Sequence, residues 1–225
     1  MAPHGNFKRS LASVILPLVL MFPPTPIASI PDDAQEYRLE PFDDTQHRKT
    51  WETFTIVAIL QSANVNLGQV SDWNFAETLW EESSRYDLDP LMVLALINVE
   101  SRFLANAVSK EGAHGLMQIL PWVAGNLVKE AALEHWQGTE SLFDPIFNIK
   151  LGVYYLGYLH DRFGDIRIAL TAYNQGPTRV QRKLDRQKTL SWRYADRILA
   201  ITQLYRTTAL QAQRSETPQS PSMKS

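Results

Sequence analysis

Leu91-Met92-Val93-Leu94-Ala95-Leu96-Ile97-Asn98-Val99-Glu100 is the stretch on which the fold turns. It is apolar on nearly every side, and a helix of that kind is enclosed by protein rather than laid on a surface. Asp89-Pro90 stands directly before it, supplying an N-cap and a proline at the first helical position. The run is therefore expected to be a central core helix, with Asp89 structural. Glu100 closes the run. A carboxyl there is partly withdrawn from water and lies beside the negative pole of the helix, and both effects disfavour its ionised form. A carboxyl that keeps its proton near neutral pH is suited to general-acid chemistry.

Working outward, the pattern is helical almost throughout. Phe75, Leu79 and Trp80 fall at i, i+4 and i+5, which predicts an amphipathic helix ending near Tyr86. Further helices are expected over 122–135, 148–163, 166–173, 179–184 and 192–208, with 105–121 a glycine-punctuated loop lining a cleft. Asp144 before Pro145 reads as another cap. Strand signals are weak, so the fold class is mainly α with little or no sheet. There is no internal repeat.

The ends differ from this middle. Lys8 and Arg9 precede an apolar stretch from Leu11 to Phe22, followed by prolines and small residues to Ser29. This reads as a secretory signal over 1–29, because the stretch is short for a bilayer span and Pro17 interrupts it. A retained inner-membrane anchor is the alternative. Residues 30–50 are polar and proline-bearing and read as a linker, 51–71 as an N-terminal accessory helix, 72–208 as the main domain, and 209–225 as a disordered tail poor in apolar residues. The expected location is periplasmic.

With 225 residues the chain has ample length for one buried core. A net charge of −2 gives no basic balance of the kind nucleic-acid binding uses. The sequence has no cysteine, which removes disulfides, thiolate metal sites, cysteine nucleophiles and a lipid-modified cysteine. No histidine pair has metal-ligand spacing and there is no dinucleotide or phosphate-loop fingerprint, so no metal and no cofactor are expected.

Four blocks then occur in order: Glu100-Ser101-Arg102-Phe103; Gly112-Ala113-His114-Gly115-Leu116-Met117-Gln118; Phe143-Asp144-Pro145 with Asn148, Gly152, Tyr155 and Leu156; and Ala172-Tyr173-Asn174-Gln175-Gly176-Pro177. Together they resemble the SLT-type lytic transglycosylases, bacterial enzymes that cleave peptidoglycan glycan strands on a goose-lysozyme-like fold. The resemblance covers roughly residues 75–205. Val123 departs from it, standing where the family usually has Thr.

The resemblance implies that Glu100 is the catalytic residue. It would protonate the glycosidic oxygen beyond N-acetylmuramic acid, then act as base on the sugar's own C6 hydroxyl to close a 1,6-anhydro ring. Most glycosidases use two carboxylates, whereas Glu111 lies at a variable position and Asp144 reads as a cap. One acid suffices if the substrate supplies the nucleophile, because an intramolecular hydroxyl has a high effective concentration. Ser101, Gly115, Leu116, Met117, Gln118, Tyr173 and Asn174 are the implied substrate-binding residues. Within that set, Ser101 would lie near the acetamido group, Gly115 (like Gly112) would let backbone approach a sugar, and Met117 and Gln118 would line the cleft. The Tyr173 hydroxyl would orient the Glu100 carboxyl.

Without the resemblance, Met117 and Tyr173 read as core, and Ser101 as a helix-terminal hydroxyl. Trp80 and Trp192 read as core, Trp122 as facing either substrate or protein, and His114 as exposed. The expected partner is the peptidoglycan strand, acted on by a monomer; cell-wall or secretion-apparatus proteins remain open as partners. Hydrolytic, lysozyme-like muramidase action and a wall-binding assembly role are the competing functions.

Overall fold

The computed structural model describes residues 44–134 and 136–216, with side chains to Gln211. The expected signal, most of the linker and the last residues of the tail lie outside the described residues. Eight α-helices are described: α1 (Asp44–Ser62), α2 (Asp72–Arg85), α3 (Pro90–Ser101), α4 (Pro121–Leu127), α5 (Pro145–Phe163), α6 (Ile166–Gln175), α7 (Pro177–Asp185) and α8 (Arg193–Glu216). A 3₁₀ turn, Thr139–Phe143, precedes α5. The fold is mainly helical, as the periodicity implied. Among the described residues β structure amounts to two isolated bridges, Val108 with His114 and His114 with Ile119.

Helix α3 is the hub. Every side chain from Pro90 to Ile97 is buried, and the helix packs against α1, α2 and α8. Each buried aliphatic side chain of this kind contributes about 1.5–3 kcal/mol, so the helix that carries Glu100 is among the best anchored in the molecule. Its start follows the sequence: the Asp89 carboxylate accepts from Leu91 N at 3.0 Å, with Pro90 at the first position. Asp144 caps α5 likewise, accepting from Phe147 N at 2.7 Å, and Asp165 caps α6 through Ile168 N at 2.8 Å.

The end of α3 is less ordinary. Arg102 and Phe103 are both left-handed, with φ of 53° and 64°. Such a conformation costs a non-glycine residue about 1–2 kcal/mol. Phe103 is buried in the core, and that burial offsets the cost. The helix is thus stopped one residue beyond Glu100 by a buried aromatic plug.

Several boundaries differ from expectation. Helix α1 begins at Asp44, so the last part of the expected linker is helical. It is docked rather than pendant, with Ile56, Val57 and Leu60 fully buried and the Glu52 carboxylate accepting from Trp80 Nε1 at 2.8 Å. Helix α8 runs to Glu216, so the expected tail is helical over 209–216. Helix α4 stops at Leu127, well before the expected 135. Each time a periodicity argument had only one face or one end of the element to read.

Candidate active site

Glu100 is partly buried near the C-terminal end of α3. Withdrawal from water pushes its carboxyl above the ordinary carboxylate range. The opposing influence is a hydrogen bond from the Tyr194 hydroxyl to Glu100 Oε1. No cation and no second carboxylate contributes to the shift among the described residues. The group is therefore a lone acid whose protonated form is favoured by desolvation, with a phenol placed to stabilise the anion once its proton leaves.

Tyr194 comes from the first turn of α8, 94 residues away in sequence. The turn is fixed to α6 by Arg167, which reaches Asp196 with Nε at 2.7 Å and Nη2 at 2.8 Å. The same guanidinium lies 4.6 Å from the Trp192 ring centre. Burial, followed by the neighbouring Glu100 charge, pushes the Tyr194 phenol well above its ordinary range. It remains a donor wherever Glu100 titrates.

Tyr173 occupies a different place from the one the resemblance implied. Its hydroxyl donates to Met117 O at 2.8 Å, so its proton is committed to the loop and not to the carboxyl. It is nonetheless close enough for the Glu100 charge to raise its pKa, second only to burial. Its ring leans on Tyr155 at 5.3 Å. Tyr173 therefore ties α6 to the 112–118 loop, and Tyr194 takes the orienting position.

The loop is built around Asn148, which is fully buried in α5. Its Oδ1 accepts from Met117 N at 2.8 Å, and its Nδ2 donates to Leu142 O at 2.8 Å and His114 O at 3.2 Å. Gly115 makes this possible. A Cβ there would lie 2.1 Å from Leu142 O and 2.2 Å from Asn148 Nδ2, at a φ of +79°. The close approach that demands glycine is thus internal to the protein rather than toward a sugar. Gly112, by contrast, has open space around it.

Leu116 and Met117 are fully buried, and Met117 lies against Gly152 of α5, where a Cβ would meet its Sδ at 2.3 Å. Their side chains are core, the place Met117 was expected to take without the resemblance. Gln118 uses its amide nitrogen inward, donating to Gly115 O at 2.8 Å and Ala107 O at 3.2 Å, which leaves its carbonyl oxygen as the group able to meet a ligand. Ser101 is buried and donates back to Ile97 O at 3.1 Å, the helix-terminal role. Asn174 is exposed. Trp80 is core as expected, Trp192 is half-buried under Arg167, and Trp122 is 68% exposed. His114 is half-buried, edge-on to Phe143 at 5.2 Å, rather than exposed.

The quoted motifs therefore converge on one place, though several of their members build it from behind. Tyr194 was missed because no motif contained it. Asn148 was within a motif, but an asparagine in a helix carries no mark of how many bonds it will make.

A helical domain with a lone desolvated glutamate at the end of its core helix belongs to the class of helical proteins that present a general acid. Within that class, the Transglycosylase SLT domain matches residues 77–194, just over half of the chain, and the chain belongs to that family. The soluble lytic murein transglycosylase of Salmonella typhimurium is 38% identical over 96 residues, covering 42% of this chain and 15% of that protein. Membrane-bound lytic murein transglycosylase C of Haemophilus influenzae is 34% identical over 132 residues, covering 55% of this chain and 35% of that protein. The solved 70 kDa soluble lytic transglycosylase of Escherichia coli superposes with a TM-score of 0.54 at 25% identity, over 72% of this chain and 28% of that one. The chain thus spans about a third or less of the length of these relatives. No helix among the described residues is long and apolar enough to cross a membrane.

Proposed function

We propose that this protein is a peptidoglycan lytic transglycosylase that cleaves the bond between N-acetylmuramic acid and N-acetylglucosamine, leaving 1,6-anhydro ends. The observation that carries this reading is the lone acid: burial raises the Glu100 carboxyl above its ordinary range, no second carboxylate among the described residues acts on it, and a tyrosine hydroxyl donates to its oxygen. In the first step the Glu100 proton passes to the glycosidic oxygen as that bond breaks. The new carboxylate is stabilised by the Tyr194 hydrogen bond, which strengthens as charge develops. In the second step the same carboxylate takes the proton of the muramic C6 hydroxyl, whose oxygen attacks C1. Acid and base are one group, and no water is consumed. Family membership and relatives named as lytic murein transglycosylases support the assignment.

Glu100 and Tyr194 are the residues to which we assign the chemistry. We place Gln118 and Asn174 toward the glycan, Ser101 beside the acid, and Gly115, Leu116, Met117 and Tyr173 in the frame that holds the loop. The apolar stretch near the N-terminus supports export to the periplasm. Mass spectrometry of muropeptides released from purified sacculi tests the reaction. Anhydro products, lighter than hydrolysed ones by one water, are expected; hydrolysed products would make the protein a muramidase, and no release would leave only a wall-binding role.

A further inference from the structure

The segment directly after the fourth motif carries charge that the proposed chemistry does not use. Arg179, Arg182, Lys183, Arg186 and Lys188 fall within a dozen residues that hold one acid, Asp185, in a chain whose net charge is −2. Arg179, Arg182 and Lys183 on α7, with Arg186 at its C-cap, recur at i, i+3, i+4 and i+7, the spacing of a single helical face. Val180 and Leu184 form the opposite face and pack into the core.

Among the described residues the basic face has no acid to answer it. Arg179, Arg182, Arg186 and Lys188 are exposed, and none of the four forms an ion pair among the described residues. Arg182 Nε reaches its own helix at Thr178 O, 3.4 Å away. Asp185, the nearest acid in sequence, is engaged by Gln181 Nε2 at 2.9 Å. Arg179 and Lys183, like Arg182 and Arg186, are like charges at i, i+4, an arrangement that opposes helix formation. Arg179 also stands in the first turn, at the positive pole. Arg182 and Lys183 stand in the last turn, where the negative pole favours cations, but helix stability does not account for Arg179 or for the like-charge spacing.

Its position is informative. Gly176, with a φ of +85°, turns the chain between α6 and α7, so the basic helix begins four residues after Tyr173. Lys183 Nζ donates to Gln175 Oε1 at 3.3 Å, tying the face to the motif itself.

We propose that the basic face of α7 binds the carboxylates of the peptide substituents on the glycan strand, while the strand lies against the Glu100 site. The proposal rests on the peptidoglycan reading above. Guanidinium forks match carboxylates in a bidentate manner, and α7 directly follows the motif that carries Tyr173 and is bonded to it through Lys183. A lipid surface is disfavoured because α7 turns its apolar face into the protein and has none to sink between headgroups. The negative charge of the whole chain disfavours nucleic acid.

The test uses the full chain in a Glu100→Gln background, so that the polymer is not consumed. Binding is measured to sacculi with peptides intact and to the same sacculi stripped by an amidase, across a sodium chloride series. The parent should bind intact sacculi about tenfold more tightly than stripped ones, the scale of three exposed charge pairs, and the preference should fade as salt rises. Arg179→Gln/Arg182→Gln/Arg186→Gln, with unchanged Tm, should bind both alike. A parent without the preference, or a triple variant that keeps it, overturns the proposal. So does binding of the parent to phosphatidylglycerol vesicles, lost in the triple variant, without any preference between the sacculi. Muropeptide analysis of the wild type reads the reaction separately, so failure of the reaction and failure of this surface appear in different measurements.

Discussion

The two ends of helix α3 hold the same chemical group under opposite physics. At the N-terminal end the Asp89 carboxylate accepts from Leu91 N at 3.0 Å and from Arg206 Nη2 at 2.5 Å. It faces the positive pole of the helix and pairs with a guanidinium. Eleven residues later, Glu100 faces the negative pole, meets no cation and is raised by desolvation. One carboxylate caps the helix and is paired with a cation; the other is a carboxyl whose charged form burial disfavours. A carboxyl is made structural or chemical by what surrounds it, and the same apolar helix provides both surroundings.

If that contrast is right, Glu100→Gln has the largest effect. Removing the transferable proton should lower cleavage by about two to four orders of magnitude, measured as anhydro-muropeptide release. Stability should hold or rise, because the group removed is costly to ionise where it sits. The raised pKa also sets a pH dependence. The folded state retains the Glu100 proton to higher pH than the unfolded chain does, so this group favours folding fully below its ordinary pKa. That contribution is lost as pH rises through the folded value. Any stability advantage of Glu100→Gln should therefore grow with pH across that window, in melting curves run side by side. Wild-type activity should fall over the same window as the acid form disappears.

Tyr194→Phe tests the environment rather than the acid. Loss of a bond to a group that becomes charged costs about 1.5–3 kcal/mol, one to two decades in rate. Because that bond lowers the Glu100 pKa, its loss should move the alkaline limb of the pH–rate profile upward. A slower enzyme with an unmoved limb would mean that Tyr194 merely packs.

Asp89→Ala is the converse experiment at the other end. Loss of an N-cap should cost about 0.5–2 kcal/mol of stability, read as a lower Tm. The exposed part of the Arg206 pair adds little to this. Turnover of the folded enzyme should be unchanged, and a large loss of kcat at temperatures well below Tm would break the contrast.

Tyr173→Phe should show the smallest effect. It removes a neutral bond to Met117 O, about 0.5–1.5 kcal/mol, leaving the ring in place. The expected result is a slightly lower Tm and a pH–rate profile whose alkaline limb does not move. A shift like that of Tyr194→Phe would return the orienting role to Tyr173.

Much of this was legible before any coordinates. The all-round apolarity of α3, the two aspartate–proline caps and the four ordered motifs pointed to a helical fold and marked Glu100 as its candidate acid. Other parts were legible in kind but not in role. Gly115 and Met117 were marked by their motif, yet the motif pattern is the same whether a residue touches a sugar or carries the loop that does. Gly115 meets Leu142 and Asn148, and Met117 meets Gly152, because α5 packs beneath that loop.

By itself the sequence determined what is local: which segments become helices, where α3 starts, and that its last turn carries a carboxyl beside a negative pole. Those outcomes depend on side chains within a turn or two of each other, and such spacing is written in the order of residues. Tertiary structure alone decided which tyrosine reaches that carboxyl. Tyr173 and Tyr194 lie in helices α6 and α8, which pack on each other, and both phenols lie close enough to feel the Glu100 charge. The choice between them was settled by the packing of α8 on α3 and by the hold of Asn148 and Tyr173 on the loop. Contacts between residues tens of positions apart are fixed by how faces meet, which no local pattern records.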